Sequence, residues 1–220
     1  MRRVLVLRPE PGATATVERA RERGLDAFSM PLFEIESLAW TLPDPNKFGG
    51  LLLTSANAVR AGGEQLSHLL GLPVHAVGEA TAEAARNAGF NVASTGKADV
   101  RRLLQSIDSG LLLLHLCGED RKEPVASQEI MPIPVYRSHA RENVDLRKAR
   151  DAVVLVHSPR AGTRFAELAQ DRSSISIAAI SPAAADAVGE GWAMVESAST
   201  PTDDALLALA ARLCNIPVAQ

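Results

Sequence analysis

The chain has 220 residues, of which 46% are hydrophobic and 22% are charged, a composition typical of a folded globular protein. This composition excludes a disordered or collagen-like chain, and the formal net charge of -3 excludes a general basic field for nucleic acid or an anionic membrane. Cys117 and Cys214 form no CxxC pair and the histidines are scattered, so we expect neither a disulfide framework nor a metal site. The length fits one large domain or two small ones.

The apolar runs of the chain are short. The first, residues 4–7, ends at Arg8-Pro9 and is too short for the core of a signal peptide. Others, such as residues 111–114, are far shorter than the roughly 20 residues that cross a bilayer. We therefore expect a cytoplasmic protein in a reducing environment, with no export signal and no membrane span.

Apolar runs of strand length alternate along the chain with Ala-rich stretches of helical spacing. The predicted strands cover residues 4–7, 51–53, 74–77, 111–116, 153–156 and 177–180. The predicted helices include residues 13–23, 80–88, 183–188 and 205–213. This alternation predicts an α/β fold with parallel sheets that are covered by helices on both faces.

Polar residues and glycines mark the ends of the predicted helices. Ser55 or Asn57 is expected to cap a helix that begins at about Ala58. Glycines are expected where helices end, because they tolerate a positive φ angle. These glycines are Gly24, Gly89 and Gly191.

The chain contains an internal duplication. The aligned segments are residues 52–58 with 155–161 and residues 75–84 with 178–187. Ser55 lies opposite Ser158 and Gly78 lies opposite Ser181, with the same offset in both alignments. The shared offset indicates two copies of one α/β arrangement.

The second copy ends before the strand and helix that follow the first copy, and the start of the chain supplies that pattern instead. We therefore predict two similar doubly wound parallel-sheet domains joined by a two-stranded linker. The first domain is discontinuous and combines residues 1–33 with 142–220, and the second, residues 42–130, is inserted into it. Residues 34–41 and 131–141 are the predicted crossings, which we expect to be paired extended strands.

Three common catalytic motifs fail in this sequence. Gly96-Lys97 lacks the preceding glycine and the following Ser or Thr of a phosphate loop, and Gly189-Glu190-Gly191 lacks the third glycine of a dinucleotide site. No Gly-x-Ser-x-Gly elbow of a hydrolase is present. His157 neighbours Ser158, but adjacent strand residues face opposite ways, so we interpret His157 as a half-buried strand residue. A nucleotide-dependent transferase is therefore disfavoured.

Ligands of open α/β sheets bind outside the carboxyl ends of the strands, where helix N-termini present free backbone N–H groups. In this chain the rule selects the turns at residues 8–12, 54–57, 78–81, 118–121, 158–160 and 181–184. If the two domains face each other, these turns line one cleft. Such a cleft suits a large anion with several carboxylates or phosphates.

Six motifs at or near these turns resemble the uroporphyrinogen-III synthase family, in the order of that family and over nearly the whole chain. They are Thr-Ser-Ala-Asn-Ala-Val (54–59), Val-Gly-Glu-Ala-Thr-Ala (77–82), Leu-Cys-Gly-Glu-Asp-Arg-Lys-Glu (116–123), Val-Tyr-Arg-Ser (135–138), Ser-Pro-Arg-Ala (158–161) and Ser-Thr-Pro-Thr-Asp-Asp-Ala-Leu (199–206). Each motif alone is weakly specific, whereas six in order are strongly so.

The resemblance implies a cofactor-free enzyme that converts hydroxymethylbilane to uroporphyrinogen III, with loss of water, ring closure and inversion of ring D. It also implies two α/β domains with the active site between them. The substrate carries eight carboxylates, and local N–H donors and helix dipoles explain how an acidic protein can hold them. The implied partners are this small-molecule substrate and the preceding enzyme of the pathway, with no nucleic acid and no membrane. We expect a monomer.

The resemblance also implies the site residues. Tyr136 matches the family tyrosine at the return crossing, and because a phenol is protonated at neutral pH it can assist loss of the hydroxyl group. Packing against the crossing strands is the alternative role of Tyr136. The residues expected to bind substrate are Ser55, Ala56, Asn57, Gly78, Thr81, Gly118, Glu119, Ser158, Arg160 and Ser181.

Several of these residues have a second interpretation. Thr81 binds substrate or caps its own turn, and Ser55 and Ser158 are expected chiefly as helix caps that border the substrate through backbone N–H groups. Arg160, like Arg8 and Arg60, either pairs with a carboxylate or is simply solvated. The sequence alone leaves these alternatives open.

The chain departs from the family where threonine often follows Gly-Pro. Here Ser181-Pro182 precedes Ala183 and Ala184, so either Ser181 replaces the lost contact or backbone amides suffice. The competing hypothesis is a two-lobed protein that binds a polyanionic ligand without turnover.

Overall fold

The structure is a computed structural model, and it describes residues 2–96, 99–121 and 123–215. Lys97 and Ala98 of the failed phosphate-loop motif and Lys122 of the third family-like motif lie outside the described residues. Contacts divide the chain into two compact units. The discontinuous unit combines residues 1–34 with 140–220, and the inserted unit is formed by residues 35–139.

Helices and strands alternate over most of the chain, as the sequence predicts. The first segment contains β1 (Val4–Val6), α1 (Gly12–Glu22), β2 (Ala27–Ser29) and β3 (Phe33–Ser37). Next come β4 (Gly50–Leu53), α2 (Ala56–Ala61), β5 (Val74–Val77), α3 (Glu79–Asn87), β6 (Val92–Gly96), α4 (Val100–Gln105), β7 (Leu112–Gly118) and β8 (Glu129–Ala140). The last segment contains β9 (Val153–Val156), α5 (Pro159–Leu168), β10 (Ser176–Ala179), α6 (Pro182–Asp186), β11 (Met194–Ser197) and α7 (Asp203–Cys214).

The discontinuous unit is built on a five-stranded sheet with the order β11-β10-β9-β1-β2, in which every neighbouring pair is parallel. All residues of β1, β9 and β10 are buried. Their side chains alternate between two apolar clusters, because successive residues of a strand face opposite sides of the sheet. One cluster includes residues of α1 and α7, and the other includes residues of α5 and α6.

The inserted unit is built on a six-stranded sheet with the order β3-β8-β7-β4-β5-β6. The strands from β8 to β6 are parallel. The backbone N–H of Leu38 donates to Val135 at 2.9 Å and that of Arg141 to Leu32 at 2.9 Å, a register that makes β3 and β8 antiparallel. Helices α2 and α3 cover one face and α4 covers the other. The predicted fold class, α/β with parallel sheets, is confirmed.

Some predicted boundaries differ from the structure. Helix α2 begins at Ala56, not at about Ala58, and Ser55 is its N-cap. The prediction that Gly191 ends a helix is wrong: α6 ends at Asp186, and the nearer glycine, Gly189, has a φ of +67°. The apolar runs of the sequence do not predict the edge strands β2, β6 and β11.

No helix in the described ranges is long and apolar enough to cross a membrane. This finding agrees with the short apolar runs of the sequence.

Candidate functional site

In the inserted unit, several expected site residues lie along one edge of the sheet. The register pairs Leu53 of β4 with Leu116 of β7 and with Ala76 of β5. Because these strands are parallel, their carboxyl ends reach the same edge. The segments that begin at Ser55, Gly78 and Gly118 lie along that edge. Gly118 also pairs with Tyr136 of the neighbouring strand β8.

Tyr136 packs directly over Gly118. A Cβ atom at Gly118 would lie 2.9 Å from Cζ and 3.1 Å from the hydroxyl oxygen of Tyr136, closer than side chains tolerate. The backbone N–H of Glu119 donates to the Tyr136 carbonyl at 2.8 Å, which holds the loop after β7 against β8. The half-buried ring also packs on the apolar cluster of α2 and α3. Glycine at 118 therefore leaves the space that the ring occupies.

Gly78 is the N-cap residue of α3. Its φ of +91° and ψ of 151° lie in a region that residues with a side chain rarely adopt. Apart from its two chain neighbours, no described residue has an atom within 4 Å of the place where a Cβ atom of residue 78 would be. The space beside the N-terminus of α3, a helix of nine residues, is therefore open at Gly78.

Thr81 lies in the first turn of α3 and is 5% exposed. Its backbone N–H donates to the Gly78 carbonyl at 3.2 Å. No side-chain hydrogen bond caps α3 within the described structure. Of the two roles considered for Thr81, capping its own helix is therefore not observed.

Ser55 caps α2, since its Oγ accepts the N–H of Asn57 at 3.2 Å. Ala56 and Asn57 are the first residues of this six-residue helix. Arg60 Nη1 donates to Asn57 Oδ1 at 3.4 Å on the exposed side. The Ser55 hydroxyl is thus used by the fold, as expected.

In the discontinuous unit, Ser158 and Ser181 occupy the matching positions. Ser158 Oγ accepts the N–H of Ala161 at 3.2 Å and caps α5, and Ser181 Oγ accepts the N–H of Ala184 at 3.3 Å and caps α6. Ser181 is extended, with a φ of -154°, whereas its counterpart Gly78 has a positive φ. The serine at 181 therefore supplies a cap that the first copy lacks.

Arg160 lies in the first turn of α5, where its guanidinium carbon is 4.5 Å from the centroid of the Phe33 ring. This distance is within the range of a cation–π contact. The contact fixes the side chain beside β3, so Arg160 is more than a solvated surface charge.

Asp203 is a polar centre that the sequence analysis does not predict. It begins α7, and its carboxylate accepts from Thr16 Oγ1 at 2.8 Å, Arg8 Nη1 at 3.2 Å and His157 Nε2 at 3.1 Å, and it also pairs with Arg19. Burial opposes ionisation, but the hydrogen bonds from His157 and Thr16 and the charge of Arg8 hold the pKa of Asp203 well below its usual range. These residues tie α1, α7 and the ends of β1 and β9 together.

His157 is more buried than the sequence analysis expects. It directly follows β9, and its side chain is 7% exposed. Burial lowers its pKa, and the Asp203 hydrogen bond acts in the opposite direction. An ionised carboxylate only accepts hydrogen bonds, so Nε2 carries the proton. Its neighbour Ser158 caps α5, and His157 Nδ1 has no hydrogen-bond partner among the described residues, so the two are not joined as nucleophile and base.

Comparisons with known proteins indicate the family to which the chain belongs. The family model described as uroporphyrinogen-III synthase HemD matches residues 14–208. A uroporphyrinogen-III synthase of Chlorobaculum parvum is 32% identical over 118 residues, which cover 49% of this chain and 48% of that protein. The chain thus matches about half the length of this curated relative.

Two solved structures resemble the chain in fold. A crystal structure of uroporphyrinogen-III synthetase from Helicobacter pylori 26695 gives a TM-score of 0.65 at 20% identity, covering 97% of this chain and 100% of that chain. A mutant uroporphyrinogen III synthase from the extremely thermophilic bacterium Thermus thermophilus gives 0.54 at 15% identity, covering 96% and 98%. Since the family model spans residues 14–208, well over half of the sequence, the chain belongs to the uroporphyrinogen-III synthase family.

Proposed function

We propose that this protein is a uroporphyrinogen-III synthase, which cyclises hydroxymethylbilane with inversion of ring D and loss of water. The observation that carries the proposal is the match of the family model to residues 14–208. The contact of Tyr136 with Gly118 at a sheet edge supports it, because ligands of parallel sheets bind at the carboxyl ends of strands.

Tyr136 is the proposed catalytic residue. Its phenol donates a hydrogen bond to the departing hydroxyl group of the substrate and so favours the loss of water. The absence of a side chain at Gly118 leaves room for the ring. The Glu119 N–H donates to the Tyr136 carbonyl at 2.8 Å and holds the backbone of Tyr136. Gly118 and Glu119 therefore act mainly by positioning Tyr136.

The carboxylates of the substrate are proposed to bind at the strand-end turns. In the inserted unit, the N–H groups after Gly78 and the hydroxyl of Thr81 are the proposed donors, together with the backbone around Ser55, Ala56 and Asn57. In the discontinuous unit they are the backbone N–H groups at Ser158 and Ser181 and the guanidinium of Arg160. Because the serine hydroxyls cap helices, we expect these serines to contribute through their backbone.

The proposal includes a cytoplasmic monomer that needs no added metal or nucleotide and that receives its substrate from the preceding enzyme of the pathway. The two described cysteines support a reducing compartment, since both are buried and unpaired. Neither nucleic acid nor a membrane is a proposed partner.

The decisive experiment gives the purified protein hydroxymethylbilane without metal or nucleotide and identifies the oxidised products by chromatography. We expect mainly the type III isomer. Ring closure alone is not informative, because the type I ring forms spontaneously, so a reaction without protein is the control. Mainly isomer I, together with tight binding of the substrate, would instead establish the non-catalytic binding protein.

A further inference from the structure

A small cavity in the inserted unit collects polar atoms that lack partners. It has a volume of about 230 Å³ and lies against β7, β8 and residues 121 and 123–128. Six buried side-chain nitrogen or oxygen atoms in the described residues have no hydrogen-bond partner. Three of these six, His115 Nδ1, Arg121 Nε and Gln128 Oε1, belong to residues that line this one cavity. Buried polar atoms normally have hydrogen-bond partners, so three unpaired atoms around one cavity indicate that water or a ligand occupies it.

The amide of Gln128 is fixed in its orientation. Its Nε2 donates to the carbonyls of Leu104 and Ile107, both at 2.8 Å, and the residue is 7% exposed. With both amide protons used, Oε1 remains as an acceptor. An occupant of the cavity must therefore bring a hydrogen-bond donor.

His115 is 2% exposed and lies in β7. Its Nε2 is 3.1 Å from Thr54 Oγ1, at the end of β4, which leaves Nδ1 without a partner. Burial, followed by the charge of Arg121, lowers the pKa of His115 to about 4, so the ring is neutral at neutral pH. Nδ1 donates or accepts according to which nitrogen carries the proton.

Arg121 supplies a permanent positive charge at the cavity. Its buried Nε–H has no acceptor among the described residues. Glu123 also lines the cavity and leaves this Nε–H unsatisfied. An oxyanion would satisfy the Nε–H, since charge-assisted hydrogen bonds of a guanidinium are strong and directional.

We propose that this cavity binds a small oxyanion that also carries a hydroxyl group, either a hydroxycarboxylate or hydrogen phosphate. The anionic oxygens accept from Arg121, and the hydroxyl donates to Gln128 Oε1, with His115 Nδ1 as a third contact. The cavity therefore has room for several water molecules or one ligand of this size. His115, Arg121 and Gln128 are not among the residues proposed to bind the substrate or to assist its turnover.

The test titrates ¹⁵N-labelled protein with glycolate and, separately, with inorganic phosphate. We expect at least one of the two to give saturable shifts of the side-chain resonances of Arg121 and Gln128. Where glycolate binds, acetate, which lacks the hydroxyl, and ethylene glycol, which lacks the charge, should bind more weakly. Response to glycolate alone assigns a hydroxycarboxylate, and response to phosphate alone assigns a phosphate.

Arg121→Gln should weaken binding about tenfold or more, in line with the loss of a hydrogen bond to a charged group. Arg86→Gln makes the same change on the exposed side of α3 and should have no effect. Arg121→Lys keeps the charge but loses the Nε–H, and should bind with intermediate affinity. Unchanged backbone resonances elsewhere show that the variants are folded.

Three results would overturn the proposal. The first is the absence of saturable shifts with both ions, which means that the cavity holds only ordered water. The second is equal affinity of Arg121→Gln and the wild-type protein. The third is acetate binding as tightly as glycolate, which removes the role assigned to Gln128.

Discussion

The contact between Tyr136 and Gly118 connects two residues that the sequence analysis selects separately. Both belong to family-like motifs, but their positions 18 residues apart do not show that they touch. The contact arises because β7 and β8 are adjacent parallel strands whose register pairs them. The identity of such a residue is thus predictable from sequence, whereas its packing partner depends on the sheet.

Replacing Tyr136 with Phe removes the proposed donor and keeps the ring. We expect turnover of hydroxymethylbilane to fall about tenfold with an unchanged fold. This loss is smaller than the ~10²–10⁴-fold typical of general acids, since backbone amides or water can donate in its place. Initial rates of type III isomer formation measure the effect. An unchanged rate would assign Tyr136 to packing alone.

Gly118→Ala should displace the Tyr136 ring, because the new Cβ atom would lie 2.9 Å from Cζ. Turnover should fall in the wild-type background but much less in the Tyr136→Phe background, where the donor is already absent. As Tyr136 is the only tyrosine, its labelled ring reports the displacement in an NMR spectrum without overlap. Gly110→Ala, which brings only an ordinary contact, is the control. An unmoved ring signal would contradict the prediction.

His115 should make the protein less stable in mild acid. Its pKa is lowered to about 4 in the folded state, while in the unfolded chain it has the ordinary value of 6.5. Between these values the unfolded state binds more protons, so the stability that neutral His115 contributes is present above pH 6.5 and is lost as the pH falls towards 4. The full difference is on the order of 3 kcal/mol.

Urea unfolding of the wild-type protein and of His115→Gln at several pH values isolates this contribution, because other groups titrate in both. The wild-type protein should lose more stability than the variant between pH 7 and pH 4.5. His68→Gln, at an exposed position, should behave like the wild-type protein. Parallel pH profiles of His115→Gln and wild type would refute the assignment.

At the scale of elements, the strands that the sequence analysis predicts correctly are the apolar ones. The central strands β1, β4, β9 and β10 are buried throughout, which gives continuous apolar runs. The edge strands β6 and β11 alternate between partly buried and exposed residues, and β2 has three residues. Such short or half-polar segments differ little in sequence from loops, so their position at the sheet edge could not be predicted.

The helix N-termini show the same contrast between local and distant causes. The serine caps of α2, α5 and α6 are local signals and can be predicted from sequence. The Asp203 centre cannot, because its partner His157 lies 46 residues away and comes into contact only through the packing of α7.

Ser158→Ala should destabilise the protein by about 1 kcal/mol, since it leaves a helix N–H without its side-chain acceptor. Ser158→Gly should lower the free energy of unfolding by only about a few tenths of a kcal/mol, since glycine is itself an acceptable N-cap residue. The free energy of unfolding in urea gives the value, and Ser109→Ala at an exposed position serves as the control. A loss no larger than that of the control would show that the cap contributes nothing.

At the scale of the whole molecule, each of the four described apolar clusters belongs to one unit. The two clusters of the inserted unit use residues between Trp40 and Tyr136, and the other two use residues of the discontinuous unit. The internal duplication in the sequence indicates two related units. It does not indicate that Asp203 unites α1 and α7 within one of them.

A polypeptide of residues 33–140 should therefore fold by itself, because it contains the complete six-stranded sheet and both of its clusters. We expect a cooperative urea transition and dispersed amide resonances. Residues 1–34 alone should remain unfolded, since β1 then lacks its neighbour β9. A fragment 33–140 without a cooperative transition would contradict this prediction.

The pairing of β1 with β9 has a consequence for synthesis on the ribosome. β1 emerges before the inserted unit, but its partner β9 follows only about 150 residues later, and at ~5–20 residues per second this delay is on the order of 7–30 seconds. During that time the wholly apolar segment Val4–Val6 lacks one side of its sheet, while residues 35–139 can already complete theirs. The inserted unit can thus fold before the unit that contains β1, and β1 needs protection for as long as translation takes to reach β9.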